Sequence, residues 1–94
     1  MKIYLKKFGT TLISRQTGRE SLAAIRPLLK EIKNNEKIEI DFKDVITFSP
    51  SWGDEFLTPL FNEYKGRIAL KNTDNSSVKA TLKLLDSIKN MKND

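Results

Sequence analysis

Lys37-Ile38-Glu39-Ile40-Asp41-Phe42, then Lys43-Asp44-Val45-Ile46-Thr47-Phe48, then Ser49-Pro50-Ser51-Trp52-Gly53-Asp54-Glu55-Phe56: the fold turns on this run. Strict alternation over residues 37–42 puts Ile38, Ile40 and Phe42 on one face, which predicts a half-buried strand. Lys43-Asp44 turns the chain, and Val45 to Phe48 continues as a second apolar segment. Ser49-Pro50-Ser51 opens a helix whose apolar positions, Trp52, Phe56, Leu57, Leu60, Phe61 and Tyr64, recur at helical spacing. Gly66 ends it. Pro59 falls inside the pattern and is expected to bend it.

Working outward, residues 2–8 alternate, with Ile3 and Leu5 opposite Lys2, Tyr4 and Lys6, and predict a first strand. Gly9-Thr10 suits a two-residue hairpin turn, with Thr11-Leu12-Ile13 as the return strand. A helix follows: Thr17 and Glu20 have capping-box spacing, while Ser14 offers an earlier cap. Leu22, Ile25, Leu28, Leu29 and Ile32 carry its apolar face. Pro27 predicts a kink or a later start, and Asn34-Asn35-Glu36 the end. Downstream, Arg67 to Lys71 form a short strand and Asn72 to Ser77 a polar loop. Val78, Leu82, Leu85, Ile88 and Met91, widened by Leu84, make a last amphipathic helix. Strands alternating with helices predict an α/β fold. The expectation is a small mixed sheet of about four strands, with an N-terminal hairpin and three helices packed against it.

The chain has 94 residues, which suits one domain over 1–94. It has no Cys and no His. Disulfide scaffolds, thiolate chemistry, Ser-His-Asp triads and most transition-metal sites are therefore excluded. No apolar run approaches the length of a membrane span, and the alternating N-terminus does not read as a signal peptide. The expectation is a cytoplasmic, non-enzymatic module with no metal or other cofactor. Lys and Arg number 17 against 12 Asp and Glu, a formal charge of +5. Acidic and basic residues interleave except near the C-terminus, where Lys79, Lys83, Lys89 and Lys92 stand against Asp86 and Asp94. A solvated helix face accounts for these lysines; a nucleic-acid patch is the alternative.

In parallel α/β folds, sites collect beyond the carboxyl ends of the strands, near helix N-termini. Two loops qualify, Thr47 to Glu55 and Asn72 to Ser77. In the first, Ser51 reads as an N-cap with Asp54 reaching back, and Asp54 and Glu55 suit the positive end of the helix dipole. Trp52 is either core or, if exposed, an anchor for a partner. Asp54 and Glu55 are the only adjacent carboxylates. Neighbouring helical positions diverge, which weakens an acid–base or Mg²⁺ role for them. The second loop lacks the glycine spacing of a phosphate-binding turn, and capping explains its serines.

Ile40 to Val45, followed by Thr47 to Phe56, resembles a STAS-like domain, one of a family of small bacterial domains related to anti-sigma factor antagonists. Ser14-Arg15 with Gly18, and Leu70-Lys71-Asn72 with Val78, resemble its first helix start and its last strand and helix. The resemblance implies a STAS-type α/β fold and a regulatory, non-catalytic role in binding a protein. By analogy with the antagonists, the partner class is a GHKL-type ATPase or kinase. Ser51 matches the serine that is phosphorylated in them to break the complex. They carry Asp-Ser-Ser-Gly where this chain has Ser49-Pro50-Ser51-Trp52. The implied partner-facing residues are Ser49, Ser51, Trp52, Asp54 and Glu55, with Arg15 balancing charge if its loop lies nearby. A monomer or weak dimer is expected.

Overall fold

The computed structural model describes residues 1–92, with side chains through Ser87. Five short strands and three helices follow one another as β1 (Lys2–Tyr4), β2 (Thr11–Leu12), α1 (Arg15–Leu29), β3 (Ile38–Asp41), β4 (Thr47–Phe48), α2 (Pro50–Glu63), β5 (Ile68–Lys71) and α3 (Ser76–Lys92). β3 lies at the centre of a three-stranded sheet in the order β1-β3-β5, and β2 pairs with β4. Every pairing is parallel. Ile3, Ile40 and Leu70 lie side by side, as do Ile38 and Ile68. With side chains alternating between faces, these residues form the core face of the sheet. Lys2, Tyr4, Glu39, Asp41 and Lys71 fall on the other.

The N-terminal hairpin is not formed, and the sheets are parallel rather than mixed. After β1 the chain takes a 3₁₀ turn, Leu5–Phe8, and Gly9 at φ 126° leads into β2. β2 then runs beside β4, with Leu12 opposite Phe48. The reason lies in side-chain spacing. Residues three apart in a 3₁₀ turn share a face. Leu5 is fully buried and Phe8 reaches the rings of Trp52 and Phe56, at centroid separations of 6.3 and 5.7 Å. A continued strand would turn Phe8 away from the face that takes Leu5.

Ser14 caps α1, accepting the Thr17 amide at 3.1 Å, so the earlier of the two caps is used. Leu22, Ile25 and Leu29 are buried along α1. The helix stops at Leu29, short of the polar run at Asn34, and the Glu31 and Ile32 amides turn back to the carbonyls of Leu28 and Leu29. Pro27 neither delays its start nor ends it directly.

α1 and α2 lie against each other, and Gly18 sets how close they come. A Cβ at Gly18 would sit 2.7 Å from the Trp52 carbonyl oxygen. Gly53 does the same on the other side of α2, where a Cβ would be 2.9 Å from both Leu85 and Phe48. Between them Trp52, Phe56, Phe48 and Phe42 form one aromatic cluster. Burying a ring of this size contributes roughly 1.5–3 kcal/mol.

Candidate functional site

Ser49 ends β4 and begins α2. Its hydroxyl accepts the Trp52 amide at 3.2 Å and donates to the Ile13 carbonyl at 2.7 Å. Its own amide donates to the Leu12 carbonyl at 2.9 Å. Ser49, not Ser51, is therefore the N-cap, and Pro50 takes the first helical position, where a missing N–H costs nothing. Ser49 stitches α2 to the segment leading into α1, so its polar atoms serve the fold. Ser51 sits one turn position further in and is half-buried. No hydrogen bond engages its hydroxyl among the described residues.

Trp52 faces inward. It has no exposed surface, stacks on Phe56 at 4.8 Å and meets Phe48 edge-on at 5.9 Å. The expectation that it anchors a partner is corrected: it is a core residue. Its indole N–H is buried and has no acceptor among the described residues. The apolar spacing that joins Trp52 to Phe56 and Leu60 is compatible with this face but did not separate core from anchor.

Asp54 and Glu55 lie on the half-buried flank of α2 that faces α1. Arg15, at the start of α1, reaches both, with Nη1 3.1 Å from Asp54 and 3.2 Å from Glu55. Arg19 stands 3.6 Å from Glu55. The two carboxylates diverge as neighbours on a helix must, yet one guanidinium spans them from outside. Hydrogen bonds to Asp54 and then Glu55 favour the charged form of Arg15 further. The helix dipoles explain part of the arrangement. Arg15 and Arg19 occupy the positive end of α1, an unfavourable place that the acids of α2 offset. One turn of each helix thus forms a charge-matched surface with Ser51 at its edge.

The second loop is used for capping, as its composition suggests. Asn75 accepts the Ser77 and Val78 amides at 2.7 and 3.2 Å and donates to the carbonyls of Val45 and Ile46. Lys79 and Lys83 are exposed on α3, with no carboxylate in ion-pair range among the described residues. The side chains of Lys89 and Lys92 lie outside the described residues.

A family model matches residues 26–78, and its description is "STAS-like domain of unknown function (DUF4325)". The match spans more than half of the chain. The chain belongs to this STAS-like family. No curated protein and no solved structure matches it. The matched segment of this STAS-like domain holds Ser49 to Glu55, whereas Arg15 lies ahead of it. No helix among the described residues is long and apolar enough to cross a membrane.

One residue of this STAS-like domain escaped assignment. Asp41 ends the central strand and is 2% exposed. Its Oδ1 accepts Asn72 Nδ2 and the Lys43 amide, each at 2.8 Å, and Lys2 Nζ lies 3.5 Å from Oδ2. The Asn72 hydrogen bond, then that of Lys43, holds its carboxyl below the usual aspartate range. It ties the carboxyl end of β3 to that of β5 and draws in the Lys2 side chain from the start of β1. Alternation marked Asp41 as polar-facing; only the neighbouring strands bury it.

Proposed function

We propose that this STAS-like domain is a non-catalytic regulatory module that binds a protein partner through the surface where α1 and α2 begin. The observation that supports this reading is the Arg15 bridge to Asp54 and Glu55 beside a half-buried Ser51 hydroxyl. Ser51, Asp54, Glu55 and Arg15 are the contact residues of this reading; Ser49 supports them from below, and Trp52 does so from the core. A GHKL-type ATPase or kinase is the proposed partner class, following the antagonists that the sequence resembles, and cytoplasmic encounter is part of the same proposal.

Phosphorylation of Ser51 is the proposed switch. A phosphate at the start of α2 gains from the helix dipole. It would repel Asp54 and Glu55 and compete with them for Arg15, loosening a charge-matched surface. Affinity purification of the tagged protein from its host, with mass spectrometry of bait and companions, tests the reading. A co-purifying GHKL-type ATPase that is lost with Ser51→Asp is the expected result. Undiminished binding by Ser51→Asp rejects the switch, and undiminished binding by Arg15→Glu rejects the surface.

A second reading, nucleic-acid binding through α3, draws on the exposed Lys79 and Lys83, which have no ion pair among the described residues. It requires binding that weakens steeply as salt rises. Absence of binding to RNA or DNA at low salt removes it.

A further inference from the structure

We propose that the outer edge of β5 receives an extended, acidic segment of another protein as an added strand. This surface is separate from the one at Ser51. The argument begins with which peptide groups of β5 are used. The Arg67 and Lys71 carbonyls accept the Ile38 and Phe42 amides at 2.7 and 3.0 Å. In a parallel ladder alternate residues bond to the same neighbour. Arg67, Ala69 and Lys71 therefore turn their peptide groups to β3, and Ile68 and Leu70 turn theirs outward. Among the described residues no hydrogen bond reaches those outward groups.

Two other strand edges differ. The outward groups of β4 belong to Phe48, and α3 caps them. Its amide donates to Ser77 Oγ at 3.0 Å, and its carbonyl accepts from Ser77 and Thr81. At β1 the outward groups are those of Lys2 and Tyr4, but the core-facing Ile3 is 1% exposed, and the exposed Tyr4 ring on the other face has the Lys2 and Lys6 ammoniums 4.8 and 5.7 Å from its centroid. At β5 the core-facing Ile68 and Leu70 are only half-buried, although Ile38 and Ile40 beside them are fully buried. Of these three edges, β5 is the one that offers unused peptide groups together with partly exposed apolar side chains on the core face, which is what strand addition needs.

Charge selects the occupant. Arg67 spends its guanidinium on the Glu36 and Lys33 carbonyls, and Lys71 has no carboxylate in ion-pair range among the described residues. Both cations lie at the ends of β5 and have no acidic partner among the described residues. A second copy is disfavoured: antiparallel pairing of Ile68 with Leu70 of the copy would set Arg67 against Lys71 at both ends, and like charges directly opposite repel. A strand with apolar residues toward the core and Glu or Asp on the other face matches both features.

The test follows the Ile68 and Leu70 amides by NMR during titration with a peptide alternating valine and glutamate. A valine–lysine peptide is the control. The glutamate peptide should shift both amides and slow their exchange by about tenfold or more. The lysine peptide should bind at least about fivefold more weakly, and Lys71→Glu, an exposed change, should narrow or reverse that preference. Equal response to both peptides, or no response to either, overturns the proposal. Slow exchange of the two amides that depends on protein concentration in the absence of peptide also overturns it, and assigns the edge to a second copy.

Discussion

Gly18 and Trp52 mark a close approach of α1 and α2. Gly18→Ala places a methyl against a carbonyl oxygen 2.7 Å away, a position that cannot yield without moving α2. The expected cost is about 1–3 kcal/mol by urea unfolding; a loss under about 0.5 kcal/mol would show that the helices part freely. Trp52 combines a large apolar contact with an unpaired indole N–H. Trp52→Phe removes that buried donor along with some volume, so its cost should stay near or below about 1 kcal/mol, while Trp52→Ala should lose about 3–5. Thermal melts of the two variants separate these effects. Nothing in the residues around Trp52 settled whether it was core or anchor. Its burial depends on a glycine thirty-four positions upstream that lets α1 close over it.

The start of α2 shows how a local signal is read at the scale of an element. Ser49 and Ser51 are both plausible caps by residue type. Pro50 distinguishes them, because proline suits the first helical position and the cap then precedes it. That signal is in the sequence. The Ser49 contact with Ile13 is not, since it crosses between strands that pair only in the fold. Ser49→Ala should cost about 1–2 kcal/mol, and Ser51→Ala less than about 0.5, in chemical denaturation. Equal costs would return the cap to Ser51. The N-terminal segment is the opposite case. Its alternation was real over Lys2 to Tyr4, but Leu5 and Phe8 also satisfy a three-residue period. The aromatic cluster decides between them, because it brings Phe8 to Trp52 and Phe56, more than forty positions downstream.

At the scale of the molecule, the carboxyls of Asp41, Glu36 and Glu63 are held below their usual range in the folded state. The Asn72 hydrogen bond acts on Asp41, the N-terminal ammonium on Glu36 and the Arg26 guanidinium on Glu63. A carboxyl with a depressed folded pKa stabilises fully above its unfolded value near 4, and that stability is lost as pH falls through the folded value. Stability should therefore be flat from pH 7 to about 5 and fall below about 4. Asp41→Asn should lower the plateau and flatten the acid limb, as followed by circular dichroism. An unchanged acid limb would show that Asp41 is not acidified. Arg26 and Glu63 repeat the pattern of Arg15 and Glu55 further along the same pair of helices. Arginines from α1 thus face acids from α2 at both ends of the seam. These exposed pairs add little to stability, about 0–1 kcal/mol each, but they fix which faces of α1 and α2 meet.

Residue order alone was enough to recognise an α/β domain, to place its central strand and helices, and to carry the resemblance to a STAS-like domain. Those features rest on periodicity and short-range motifs, which are local. The pairing of β1 and β2 with different strands, the burial of Trp52 and Asp41, and the arginine that joins Asp54 to Glu55 emerge in the folded molecule alone. Each of these depends on contacts between residues some thirty to fifty positions apart. Hydrogen bonding and burial across such distances follow from which elements pack together, and no local pattern records that.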